Sequence, residues 1–328
     1  MTFKHKAVNW NEKNDGFTQA FWEQNVKQFW LPEEISVSKD LKCWANDLSN
    51  EEKTLYKKVF GGLTLLDTKQ ANDGVPSMMS LVEDMQRKAV LSFMGTMEEI
   101  HAKSYSSIFM TLLSTTEINE LFDWIEDNEF LQRKAELVLA RYKKTYSKSE
   151  LYLSMATSVL LESFLFYSGF YYPLYLAGQG KMVASGEIIS LILRDESLHG
   201  KYIGLLAQEL YQEFSKEEQD SLKEEVFNLL DLLMDNEISY VKDVYKEVDN
   251  IKNKGIIDDV IKFMKYNANT CLNNLGYENK YEVYEIDINP IVLNGLSTET
   301  KSHDVFSTKG NGYQKGKYEE LQDEDFII

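Results

Sequence analysis

Residues Met155–Tyr175 read MATSVLLESFLFYSGFYYPLY, a run in which Glu162 is the single formal charge. The run is long enough to cross a bilayer. Its central carboxylate, its serines and tyrosines, Pro173 and the lack of flanking Lys or Arg clusters point instead to the central helix of a large soluble bundle. No membrane association is expected. In such surroundings an ionised Glu162 is prohibitively costly unless it is paired, protonated or bound to metal.

The pattern on either side is helical. Ser49 with Glu52 forms a capping-box signature ahead of Leu55, Val59, Leu63 and Leu66, and this segment is expected to run to about Asn72. Pro76 punctuates, and a second helix follows from Leu81 through Tyr105 to Leu113. Residues 117–141, 185–210 and 216–246 read as further helices, the last acidic on its exposed face. The first 45 residues, with Phe21, Trp22, Phe29 and Trp30, read as an arm or short helices. Tyr281–Ile288 alternates enough for a short strand. Only four prolines and 17 glycines interrupt 328 residues, and 43% hydrophobic residues supply a sizeable core. The expected class is all-α, with one helical domain over residues 1–295 that includes the N-terminal arm. Residues 296–328, polar and ending in EELQDEDFII, suit a flexible tail.

Thirty-five basic residues against 53 acidic ones leave a net charge of −18, which repels a phosphate backbone and argues against nucleic acid as a partner. No GxxxxGK or GxGxxG phosphate loop occurs. Cys43 and Cys271 stand far apart in no CxxC spacing, so neither a disulfide framework nor a thiolate zinc site is indicated, and a reducing cytoplasm fits. Met1–Trp10 carries two lysines and a histidine with no apolar run behind them, so no secretory signal is expected.

The chemistry gathers around two histidines, each three residues after a glutamate: Glu98 with His101, and Glu196 with His199. On a helix, positions i and i+3 share a face, so each pair can offer a carboxylate and an imidazole to one metal. Glu162 and Asp67, the latter closing the apolar run from Leu63 to Leu66, supply two more acids. Singly, each residue has a plainer explanation: a surface pair, a protonated core acid, a helix surface charge. Together they match the ligand pattern of ferritin-like dimetal bundles, with Asp67 in place of one glutamate. Two nitrogens and four carboxylates suit iron or manganese and are too oxygen-rich for structural zinc. Tyr105 lies seven residues after Glu98 and, at ~100° per residue, points within about 20° of it, toward the same centre. A phenol there is placed to be oxidised, although most of the 19 tyrosines must be structural.

Six local sequences carry a resemblance over nearly the whole chain: Gln28–Glu34 (QFWLPEE), Gly61–Thr68 (GGLTLLDT), Glu98–Phe109 (EEIHAKSYSSIF), Glu162–Phe170 (ESFLFYSGF), Arg194–Gly200 (RDESLHG) and Asn289–Leu296 (NPIVLNGL). With these the chain resembles the small, radical-generating subunit of class Ib ribonucleotide reductase. The resemblance implies a ferritin-like helical bundle in which Asp67, Glu98, His101, Glu162, Glu196 and His199 bind two metal ions per chain, manganese or iron. It implies that Tyr105 becomes a stable radical, relayed through Trp30 and Asp195 and a mobile tail tyrosine, Tyr313 or the nearby Tyr318. It further implies a homodimer, a nucleotide-binding large subunit that the acidic tail docks to, and a flavodoxin-like activator. Because Cys43 and Cys271 form no redox pair, reduction of the ribose belongs to that other chain. The competing readings are a desaturase-like or other dimetal oxidase on the same bundle and a metal-storage protein; Tyr105 and the tail argue against both.

Overall fold

The computed structural model describes residues 5–143, 146–251 and 253–296. Tyr313 and Tyr318 lie outside the described residues. Helices α1 (Thr18–Lys27) and α2 (Leu41–Asn46) form the arm, with 3-10 turns at Pro32–Glu34 and Val37–Asp40 between them. Helix α3 (Asn50–Lys69) starts at the reciprocal cap, where the Ser49 N–H donates to Glu52 at 2.7 Å and the Glu52 N–H to the Ser49 hydroxyl at 3.4 Å. It does not end cleanly. The backbone widens into a π turn over Gln70–Gly74 and runs on as α4 (Val75–Leu81), with Pro76 in its first turn, where a missing N–H costs little.

Two expected helices differ in extent. The long helix after Pro76 begins only at Met85, as α5 (Met85–Leu112), because Val82 turns extended and Asp84 caps the new start by accepting the Arg87 N–H at 2.8 Å. The stretch 117–141 is two helices, α6 (Thr115–Asp127) and α7 (Glu129–Tyr142). Asn128 breaks it by accepting the Leu131 N–H at 3.0 Å, a side-chain cap competing with helix continuation.

The apolar run becomes α8 (Lys148–Leu160), a π turn over Leu161–Leu165 and α9 (Tyr167–Ala177). Every residue from Leu151 to Leu174 is buried. Among the described residues, Lys148–Ala177 is the one helical stretch long and apolar enough to cross a membrane, and its most apolar 18 residues are wholly enclosed by the protein. Its neighbours approach closely: a Cβ on Gly169 of α9 would lie 2.7 Å from the Leu63 side chain of α3, so any larger residue there would have to displace Leu63.

Helix α10 (Val183–Tyr211) packs on α8 and α9, and α3 packs on α5 and α9. Asp40 of the arm caps α10 from a distance, accepting the Ala184 N–H at 3.1 Å and the Ser185 N–H and hydroxyl at 2.8 and 2.6 Å. Helices α11 (Lys216–Val244), α12 (Lys246–Ile251), α13 (Ile256–Asn274) and α14 (Pro290–Leu296) complete the described bundle. The asparagines of α13 dilute an apolar face of Val260, Phe263, Met264 and Leu272 that is nonetheless buried.

The expected strand at Tyr281–Ile288 is absent. No described residue forms a strand, so nothing supplies a ladder. The Asn269 side chain instead accepts the Lys280 and Tyr281 N–H groups at 3.0 Å each and donates to the Tyr281 carbonyl at 2.7 Å, and a 3-10 turn follows at Glu285–Asp287. Tyr281 and Val283 pack against the core and Ile288 is buried in it, but Ile286 is 92% exposed, so the alternation does not hold along the segment.

Candidate metal centre

Four helical stretches each deliver one part of the site. Asp67 comes from the last turn of α3, Glu98 and His101 from the middle of α5, Glu162 from the π turn between α8 and α9, and Glu196 and His199 from the middle of α10. All six side chains are fully buried. They form two overlapping groups, Asp67–Glu98–His101–Glu196 and Glu98–Glu162–Glu196–His199, in each of which the candidate ligand atoms lie within 4.8 Å of one another. Glu98 and Glu196 belong to both.

Both imidazoles turn Nδ1 into the acids. His101 Nδ1 lies 2.9 Å from Glu196 Oε1, 3.4 Å from Asp67 Oδ1 and 3.7 Å from Glu98 Oε2. His199 Nδ1 lies 2.7 Å from Glu98 Oε1, 3.2 Å from Glu196 Oε2 and 3.7 Å from Glu162 Oε2. Of these, only His199 Nδ1 to Glu196 Oε2 has hydrogen-bond geometry, and the rest are approaches. Both oxygens of Asp67 and of Glu98, Glu162 Oε2, Glu196 Oε1 and His101 Nδ1 are buried without a well-aligned hydrogen-bond partner.

Electrostatics explains what such a cluster demands. Burial pushes the Asp67 and Glu162 carboxyls well above the ordinary range, with Glu98 adding to both. Burial alone would depress the imidazoles, but the surrounding carboxylates, Glu196 foremost for His101 and Glu162 for His199, raise both. Burial would also raise Glu196, but the His101 charge and hydrogen bonds from its neighbours hold it below the usual range. The cluster thus gathers positive charge. Four carboxylates balance two divalent cations with both imidazoles neutral, and oxygen atoms left without hydrogen-bond donors are what hard cations bind. The residues present fit a dimetal group.

Tyr105 sits one turn beyond His101 on α5, fully buried, its ring 5.6 Å from that of Phe60. Its hydroxyl lacks an aligned hydrogen-bond partner. Burial raises its pKa well above the ordinary phenol value, and Asp67, Glu196 and Glu98 add to the rise, so the phenol stays protonated. On the other side of His101, Asp195 Oδ2 lies 3.2 Å from His101 Nε2 and accepts the Trp30 indole N–H at 2.7 Å. Trp30 is 2% exposed, its ring 6.1 Å from that of His101 and 19° from parallel. The structure thus brings Trp30, Asp195, Tyr105 and the six candidate ligands together.

Residues 7–290 match the family model described as ribonucleotide reductase, small chain. The chain belongs to that family. It is 54% identical over 331 aligned positions to the ribonucleoside-diphosphate reductase subunit beta of Bacillus phage SPbeta, and equally to that of Bacillus subtilis, covering 100% of this chain and 98% of each relative. Among solved structures, the dimanganese(II)-NrdF of Streptococcus sanguinis superposes with a TM-score of 0.84 at 43% identity, covering 89% of this chain and 100% of that one. The chain is therefore a ribonucleotide reductase small subunit on a ferritin-like bundle, an oxidoreductase component of deoxyribonucleotide synthesis, and the desaturase-like and storage readings fall away. Small subunits of this family work with a large subunit and typically form dimers.

Sequence reasoning missed two side chains in this ribonucleotide reductase site. Gln28 donates to Asp195 Oδ1 at 2.7 Å, and Gln70 donates to Glu162 Oε1. Gln28 lies in the quoted QFWLPEE block, but no spacing rule distinguishes it. Gln70 follows Asp67 by three residues, a polar side chain continuing a buried face, and that signal could have found it.

Proposed function

We propose that Asp67, Glu98, His101, Glu162, Glu196 and His199 hold two metal ions, and that Tyr105 is the residue oxidised to the stable radical. The observation that carries this reading is the convergence of six buried ligand groups, most of their facing atoms without donors, beside a buried phenol. When bound, the metal pair supplies the oxidising power for a one-electron oxidation. Because Tyr105 stays protonated, its proton leaves with its electron, and Asp67 is the carboxylate whose charge bears most on that hydroxyl. The apolar surroundings, Phe60 among them, keep water from the phenoxyl.

Trp30 and Asp195 carry the radical outward. Trp30 gives up an electron that reduces the Tyr105 radical, which regains a proton to become the phenol again, while the Trp30 indole proton moves along the 2.7 Å bond to Asp195 Oδ2. Asp195 also orients His101 through Nε2, leaving Nδ1 for metal. Tyr313, with Tyr318 as the alternative, continues the relay in a flexible tail, residues 296–328, that docks to the large subunit and leaves residues 1–295 as the helical domain. Manganese, for which a flavodoxin-like activator delivers the oxidant, is the metal favoured by likeness to the dimanganese NrdF structure; iron satisfies the same ligands. The homodimer acts in the cytoplasm. The test is spectroscopic: protein loaded with iron and oxygen shows a tyrosyl signal, and Tyr105→Phe binds two metals per chain without it. A signal that survives the substitution overturns the assignment.

A further inference from the structure

Gln70 is fully buried and stands where the two π turns of the bundle meet: it opens the turn Gln70–Gly74, and Glu162 lies in the turn Leu161–Leu165. Its amide is completely used. Nε2 donates to Ser158 Oγ at 2.6 Å and to Glu162 Oε1, while Oε1 accepts the Tyr142 hydroxyl at 2.7 Å. Space for this amide is reserved by Gly74, where a Cβ would lie 2.3 Å from Gln70 Oε1 and 2.8 Å from the Tyr142 ring. Any larger residue there would expel the amide.

Fixed-donor geometry has a consequence for Glu162. With Tyr142 holding Oε1, the amide cannot turn over without facing its own oxygen toward a carboxylate. One oxygen of Glu162 is therefore committed to Gln70, and the other, Oε2, is left without a hydrogen-bond partner, facing His199 at 3.7 Å. Packing alone would be served as well by an apolar side chain of the same length. A donor aimed at one oxygen of a ligand candidate is the arrangement by which outer groups orient metal ligands.

We propose that Gln70, oriented by Tyr142, is a positioning residue that presents a single oxygen of Glu162 to the metal pair and so sets the affinity of the ion on the Glu162–His199 side. The inference rests on the dimetal reading above. Its test is metal titration of the full-length protein with Mn2+, followed by calorimetry and by the electron paramagnetic resonance of the bound manganese, with thermal melting of the metal-free chain as the control for folding. Gln70→Met is expected to melt within a few degrees of wild type, to keep one ion with its original affinity, to bind the other about tenfold more weakly, and to change the spectrum of the coupled pair. Tyr142→Phe, which removes the bond that orients the amide, is expected to weaken the same ion by a smaller factor, and the double substitution to equal Gln70→Met alone. Unchanged affinity and spectrum in Gln70→Met overturn the proposal, as does an equal loss at both ions. If Gln70→Met does not fold, Tyr142→Phe decides by the same criteria. Failure of wild type to take up two ions would overturn the dimetal reading itself, a separate result seen before any variant is compared.

Discussion

Asp195→Asn keeps the shape of a side chain that is 1% exposed and changes only what it can accept. Three donors converge on its two oxygens: Gln28 Nε2 at 2.7 Å, the Trp30 indole at 2.7 Å and His101 Nε2 at 3.2 Å. Asparagine offers one acceptor oxygen and one NH2 group. If that oxygen serves Trp30 and His101, the new NH2 faces the Gln28 amide, which can turn over at the expense of its bond from Gln24 at 3.1 Å. The folding cost is then that of one or two imperfect hydrogen bonds, about 1–3 kcal/mol, and a melting shift on the order of 5 °C. The charge is not recoverable by any rotation. A neutral amide neither raises the basicity of His101 nor takes the indole proton of Trp30. Metal affinity is therefore expected to fall roughly 10- to 100-fold, and turnover with the large subunit to fall by at least about 100-fold even when metal is saturating, following the usual cost of losing a positioned proton acceptor. Circular dichroism, metal titration and single-batch turnover assays separate the three effects. Wild-type turnover in the metal-saturated variant would refute the role of Asp195 as proton acceptor, and wild-type affinity would refute its support of His101.

Two further expectations concern stability. Lys134 and Glu237 form an ion pair that is 2% and 0% exposed, with Ser168 also donating to Glu237 at 2.7 Å. Lys134→Met strands the carboxylate and should cost about 3–5 kcal/mol, whereas Lys134→Met with Glu237→Leu should lie within about 1 kcal/mol of wild type or above it; denaturant unfolding of both variants checks this, and equal losses would contradict it. Asp40→Ala removes the remote cap of α10 and its three hydrogen bonds, for an expected loss of about 2 kcal/mol in the same assay. A loss under about 0.5 kcal/mol would show that the arm does not hold α10.

Much of the helical layout was legible because burial imposes a period. The capping box at Ser49, the runs through Leu55–Leu66 and Ser185–Leu210 and the one charge at Glu162 are local patterns, and local patterns survive folding. Their ends were less legible. Asn128 and Asp84 break helices by side-chain bonds that compete with the backbone, and nothing in the hydrophobic period registers that competition. The supposed strand at Tyr281–Ile288 failed for a non-local reason: a strand exists only if a second one lies beside it, and here the neighbour is the Asn269 side chain of a helix.

The two Glu-x-x-His spacings, Glu162 and Asp67 announced a set of ligand types from the chain alone, since the helical repeat puts i and i+3 on one face whatever the surroundings. Their meeting did not follow from that repeat. Which nitrogen of His101 faces the acids, which oxygen of Glu162 stays open and which donor serves Asp195 depend on residues 34 to 167 positions apart brought within 4 Å. The π turns that place Gln70 against Glu162 arise from packing between helices, because an extra residue in a turn is tolerated only where neighbours satisfy the groups it displaces. Residue type and spacing thus named the chemistry, and the crossing of four helices chose the atoms, because a helix specifies the face it presents but not the partner it presents it to.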